Sequence, residues 1–222
     1  MCSDGTWEVS LSNDYRAIAI RQLLSSVSFD SKDMVLWHND CNVNLRVIWD
    51  SFRRRSNPPS WQPLIWNRFH IPSHSFISWL ACRDRLSTKD RLQHFLHNVD
   101  PVCVLCRSYN ESSAHLFSTC PYTYLIIRGS PFALKLAWED WMRGDFFQDS
   151  LSQFNKEMGF LYITIIIYHV WKERNSRVFG KGSMPVDKLH YFIKRTFREK
   201  LFSCHAFRRK LNGDPSLSQI LY

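Results

Sequence analysis

The sequence predicts a mainly α protein: a multi-helix domain stapled by a structural metal site, with an amphipathic basic helix towards its C-terminal end. Three observations predict it. Apolar residues recur at steps of three and four along most of the chain, the spacing of one helix face, and no convincing period-two strand series stands among them. Turn-forming residues fall between these stretches, with no Gly-rich loop and no internal repeat. Finally, Cys103-Val104-Leu105-Cys106 is followed by His115 and Cys120, three thiols and one imidazole within 18 residues.

That spacing, C-x2-C-x8-H-x4-C, supplies four ligands with none left over. Zinc takes four nitrogen and sulfur ligands in a tetrahedron, and a closed set with no open position supports a fold rather than catalysis. One structural Zn2+ held by Cys103, Cys106, His115 and Cys120 is therefore the expected cofactor. The first thirty residues lack the continuous apolar run of a secretory signal, and seven cysteines is an odd count. An intracellular, reducing compartment follows, where such thiols are metal ligands and not disulfide partners. Cys2, Cys41, Cys82 and Cys204 are scattered and read as small apolar residues. Ser112 can cap a short helix carrying His115, Leu116 and Phe117, but Cys120 would point away from His115 on a regular helix. Pro121 is expected to turn it back, because a residue before proline is driven out of the helical region. The alternatives are an unmetallated Cys pair, or an imidazole from His94 or His97, which suit surface or capping positions near a helix end at Asp100.

Element by element, a helix is expected before Val27, capped at Asn13 or Asp14, and another over Val43, Val47, Ile48 and Phe52 that closes in Arg53-Arg54-Arg55. Ser56-Asn57-Pro58-Pro59-Ser60 is the clearest breaker and a candidate linker. Beyond it, Phe76, Ile77, Trp79 and Leu80 are expected to form the buried face of a helix. Ser87 or Thr88 then caps the next, with Asp90 near a capping-box position and Leu92, Phe95 and Leu96 inward. Helices are further expected over Tyr122–Ile127, Phe132–Met142, Leu151–Val178 and Pro185–Leu211. In the last of these Val186, Leu189, Ile193, Phe197, Leu201 and Cys204 share one face, with Lys188, Arg195, Arg198 and Arg209 opposite. The expected organisation is an N-terminal helical segment (1–56), a zinc-binding helical domain (61–145) and a C-terminal helical pair with a basic outer face (150–222). The apolar run Met158–Trp171 is too short for a membrane span, which needs about 20 residues, and so it belongs to a core.

The net charge of +9 is unevenly placed: residues 172–222 hold 12 basic and 4 acidic side chains. Such asymmetry suits an anionic partner, nucleic acid first, although a solvated basic helix without a partner has the same composition. Zinc with three thiolates carries a net charge of −1, so phosphate contacts would come from neighbours such as Arg83, Arg85, Lys89, Arg91 and Arg107. There is no P-loop and no G-x-S-x-G elbow. Glu139-Asp140 sits in a helical pattern between Trp138 and Trp141, and Pro72 between His70 and His74 prevents a helical metal pair. No enzyme is expected, and no small-molecule substrate or membrane partner is evident.

Several runs together resemble a known family. They are Trp66, Ile71-Pro72, Phe76-Ile77-Ser78-Trp79-Leu80-Ala81, Arg85-Leu86-Ser87-Thr88-Lys89-Asp90-Arg91-Leu92, the Cys pair, and Glu111-Ser112-Ser113-Ala114-His115-Leu116-Phe117-Ser118-Thr119-Cys120. This combination is similar to the plant reverse transcriptase zinc-binding domain, found near the C-terminus of polyproteins of LINE-type non-LTR retroelements. Weaker likeness includes Trp49-Asp50-Ser51-Phe52 and Trp171-Lys172-Glu173-Arg174-Asn175. Ile126-Ile127 stands where the family often has a Trp. The resemblance implies that Cys103, Cys106, His115 and Cys120 ligate zinc in a non-catalytic module. The leading expectation is nucleic-acid binding, RNA or DNA, through Arg85, Lys89, Arg91, Arg107, Lys188, Arg195, Arg198 and Arg209. The alternatives are a structural or protein-interaction domain, docking a reverse transcriptase or another protein, and a retroelement relic without retained activity.

Overall fold

A run of buried residues from Met158 to Ile167, apolar but for Gly159 and Thr164, organises the architecture. A helix that is apolar all round has no solvent face and must be surrounded by others. The computed structural model describes residues 45–52, 57–213 and 217–218, together with Ile18 and Gln22. The chain divides into two units, Met1–Asn57 and Pro58–Tyr222. In the first, α1 (Leu45–Phe52) is the expected helix before the arginine run, while most of the helix expected before Val27 lies outside the described residues.

The second unit holds α2 (Gln62–Ile65), α3 (Pro72–Cys82), α4 (Lys89–Leu92), a π-helical turn (His115–Thr119), α5 (Pro121–Arg128), α6 (Trp138–Met142), α7 (Gln153–Val178), α8 (Val186–Ser203) and α9 (His205–Gly213). Among the described residues there is no strand, only two isolated bridges. The axis is α7, started by Ser152, whose Oγ accepts from Asn155 N at 3.3 Å. α2, α3, α5, α8 and the π-turn pack against it. Phe132, Tyr162 and Phe197 meet edge-on, with centroids 5.1–6.0 Å apart, and lock α7 to α8 and to the chain after α5. Gly159 is required where it stands, because the Phe147 ring lies where a Cβ would be. No described helix is long and apolar enough to cross a membrane.

Four sequence expectations are corrected here. The fully buried residues of α3 are His74, Ser75, Ser78 and Ala81; of the four expected, Ile77 and Leu80 are half-buried and pack against the core, while Phe76 and Trp79 are exposed. The small residues let α3 lie close to α7, and Ser75 Oγ donates to Ile65 O at 3.0 Å. The helix expected after Thr88 is the single turn α4, and Phe95 and Leu96 are exposed. Thr88 makes no side-chain cap there; Glu111 Oε1 accepts from Lys89 N at 2.9 Å instead. Only the end of Phe132–Met142 is helical. Residues 132–137 are not helical: Leu134 bridges Phe147, with Lys135 N bonding Phe146 O at 2.9 Å and Gln148 N bonding Ala133 O at 2.8 Å. The C-terminal helix breaks at Cys204, whose ψ of 116° is extended, so Arg209 belongs to α9.

His74 and His169 are closed in between α3, α7 and α8. The His74 ring stacks on Tyr168 at 4.0 Å and lies 5.9 Å from His169, and its Nε2 is buried without a partner. Burial first, then the neighbouring His169 and Lys172, hold the His74 pKa down at about 4, and burial does the same to His169. Both are depressed below the unfolded value, so the unfolded chain binds more protons between pH 6.5 and 4. Their stabilisation is complete above pH 6.5 and is lost as pH falls towards 4, on the order of 2–3 kcal/mol for His74. Urea unfolding at pH 7.5 and pH 5 should show a smaller drop in His74→Gln than in wild type. The metal ligands titrate in both proteins, so the difference isolates His74; equal drops would refute its part.

Candidate metal centre

The loop that carries the Cys pair is closed by backbone bonds. Cys103 N donates to Tyr109 O and Arg107 N to Cys103 O, both at 2.8 Å, and Glu111 N donates to Pro101 O at 2.8 Å. Without a glycine, the turn after Cys106 places Arg107 itself in the left-handed region, at φ 57°. Ser112 then starts the next segment as expected, its Oγ accepting from His115 N at 3.0 Å.

Two devices bring Cys120 back to His115. Cys120 has φ −66° and ψ 123°, the extended geometry that Pro121 demands. The segment between is a π-turn, with Cys120 N donating five residues back to His115 O at 2.8 Å, so residues five apart come round to one side. Pro121 then starts α5 at a position where its missing N–H costs nothing. Leu105, Leu116 and Phe117 are buried beneath.

The ligand atoms of Cys103, Cys106, His115 and Cys120 all lie within 4.8 Å of one another. Cys106 Sγ is 3.4 Å from His115 Nε2, and His115 Nδ1 is 3.2 Å from Thr119 Oγ1. With Nδ1–H donating to Thr119, Nε2 presents its lone pair to the thiols, the outer contact that fixes a ligating histidine's tautomer. Cys82, Cys103, Cys106, Cys120 and Cys204 are free thiols. Crowding shifts the cluster: a hydrogen bond with Cys120, then burial, pushes Cys103 up to about 12, while the same bond draws Cys120 down. Buried thiols that must share a proton are a donor set short of a cation. The cluster suits one zinc ion, and the four side chains would hold it as a closed tetrahedral site. Zinc there supplies a cross-link between the Cys-pair loop and the π-turn. His94 and His97 are exposed, His70 Nδ1 bonds Asn67 O, and none of the three belongs to the cluster.

The centre is clasped from outside by α7. Arg174 Nη2 and Nε bond Glu111 Oε1 at 2.6 and 3.1 Å, and both side chains are buried. One turn on, Arg177 Nη1 donates to the carbonyls of Val104 and Leu105, the two residues between the cysteines, at 3.4 and 3.1 Å. Its Nε bonds Glu173 Oε1 at 2.7 Å and its guanidinium lies 4.7 Å from the Tyr122 ring centroid. Tyr122 OH and Arg177 Nη2 both donate to Met184 O, which ties the start of α8 to the same knot.

Residues 44–126 match the family model described as zinc-binding in reverse transcriptase. That segment is similar to this family. A curated relative from Arabidopsis thaliana, described as an uncharacterized mitochondrial protein, is 31% identical over 75 residues, 33% of this chain and 52% of the relative. The chain thus spans about half the length of that relative. No solved structure matches it.

Within and beyond the zinc-binding domain, the basic residues named from the sequence differ in their surroundings. Lys89 Nζ turns inward to Val102 O and the Asp100 carboxylate, and Arg91 bonds the Asp84 carbonyl. Arg195 pairs with Glu199 along α8. Arg85, Arg107, Lys188 and Arg209 are exposed and Arg198 is half-buried. Sequence reasoning quoted Glu111, Glu173 and Arg174 only as parts of runs, and missed Arg177. The i, i+4 spacing of Glu173 and Arg177 is the one signal that pointed to a pair.

Proposed function

We propose that this chain is a non-catalytic, zinc-stapled module of retroelement reverse transcriptase origin that binds nucleic acid electrostatically inside the cell. The observation that carries the reading is the outer side of α8 and α9. There Lys188, Arg195, Arg208, Arg209 and Lys210 are exposed while Leu189, Ile193, Phe197, Leu201 and Phe207 fill the core. The family match supports it, because a reverse transcriptase works on nucleic acid. Not all of the C-terminal charge is available, since Arg174 and Arg177 are engaged within the fold. The four-ligand centre offers no open coordination position, which favours support of the fold over metal chemistry.

Binding to labelled single-stranded RNA and DNA, measured across a salt series, should fall linearly on logarithmic axes by roughly 0.7 per phosphate neutralised. Reversing Arg208 and Arg209 to glutamate should weaken it and flatten the slope. Absent or salt-insensitive binding near physiological ionic strength would sink the reading and leave an interaction domain or relic in its place.

A further inference from the structure

α3 turns Ile77 and Leu80 towards the core beside its small and polar buried residues, but its large rings stand in solvent: Phe76 is 57% exposed, Trp79 38%, and Trp66 just before it 66%. An exposed apolar patch of this size is more informative than a single exposed ring. Phe76 and Trp79 stack on each other at 6.0 Å with planes 26° apart, so they form one continuous step and not two loose side chains. Pro72, Phe76, Trp79 and Arg83 lie at i, i+4, i+7 and i+11, a single stripe down the helix.

The charge around the stripe is mainly basic. Arg83 and Arg85 are exposed at the C-terminal end of α3, and neither side chain has an ion pair among the described residues. The acid between them, Asp84, is occupied: its Oδ1 accepts from Ser113 Oγ at 2.8 Å and Arg91 lies against it. Aromatic steps edged by unpaired arginines favour unpaired bases over a protein face, since every base offers a π-surface and every phosphate a charge.

We infer that the Phe76–Trp79 face of α3 is a stacking platform for single-stranded nucleic acid, with Arg83 and Arg85 on its phosphates. The inference rests on the nucleic-acid reading proposed above and locates its base contacts away from the basic α8–α9 surface. Duplex bases are already stacked on each other, so the platform discriminates strands as well as binding them.

The test is fluorescence-anisotropy titration of the zinc-loaded full chain with labelled oligouridylate and, separately, with a blunt duplex. The rings are exposed, so Phe76→Ala/Trp79→Ala is expected to fold, which circular dichroism and zinc content check. Single-strand affinity should fall by about tenfold per ring removed while duplex affinity stays the same. The salt slope of the double variant should be unaltered, because rings neutralise no phosphate, whereas Arg83→Gln should lower it by about 0.7. Trp79→Phe should retain most of the affinity. Wild-type binding that the double variant leaves intact would overturn the platform and leave the basic-surface reading standing. No wild-type binding to either probe would overturn both. Self-association of the wild type on sedimentation, abolished in the double variant, would assign the face to a second copy of this chain and overturn the inference.

Discussion

Cys106→Ser, or removal of the metal by a chelator, should release residues 101–120 from their packed state while leaving α7 and α8 folded. Cys106 is the informative ligand to change because it is half-buried, whereas Cys103 and Cys120 are themselves core residues whose loss would confound metal and packing effects. Structural zinc sites contribute apparent free energies of roughly 10–16 kcal/mol, comparable with the whole stability of an ordinary domain at about 5–15 kcal/mol. Within 101–120 the knuckle's own packing is small: one isolated bridge, a few backbone bonds, and the buried side chains of Leu105, Leu116 and Phe117, with the Arg174 and Arg177 clasp from α7 as its other tie. The long helix has its own core, so the loss should stop there. Hydrogen exchange read by mass spectrometry should show fast exchange across the Cys-pair loop and the π-turn in the variant, and protection retained from 158 to 170. Elemental analysis should give one zinc per wild-type chain and none in the variant. A zinc-free wild type with unchanged exchange would refute the structural role of the centre.

Much of this centre was legible in the sequence, because its chemistry is local. The four clustered side chains, the Ser112 cap and the turn forced by Pro121 all lie in one short stretch and obey rules of spacing. The π-turn was not legible, since it arises only when the chain must bring Cys120 back towards His115. The misread elements failed for different reasons. Phe132, Leu134 and Leu136 alternate, which is a period-two signal, but too short a one to outweigh the helical residues after it, and its pairing partner at 146–148 is distant in sequence. α3 was half legible: Ile77 and Leu80 pack against the core as expected, but periodicity could not say that Phe76 and Trp79 point outward. What decided that was the size of Ser75, Ser78 and Ala81 against α7, a tertiary demand. The buried acids and arginines were the least legible of all, because a charge in a sequence reads as surface until its partner is known.

Breaking that hidden partnership should have the second largest effect. Arg174→Ala would leave the Glu111 carboxylate buried, with only Lys89 N on Oε1 and nothing on Oε2. Removing one member of such a pair costs about 3–5 kcal/mol, since the remaining charge has neither water nor counter-ion. Arg174→Lys should not rescue it, because two guanidinium nitrogens converge on one oxygen and a single ammonium cannot reproduce that fork. The double variant Glu111→Gln/Arg174→Met removes both charges at similar volume and should recover much of the loss, giving a large coupling in a double-mutant cycle. The pair joins Glu111, four residues before His115, to α7, 63 residues further along the chain. Metal binding and docking of α7 therefore act on the same segment. By linkage, whatever zinc contributes to docking, docking contributes to zinc affinity. Arg174→Ala should weaken zinc binding in competition with a chromogenic chelator, although Arg174 touches no ligand. Unchanged zinc affinity alongside the expected loss of stability would show that the clasp secures the helix alone and is energetically independent of the metal.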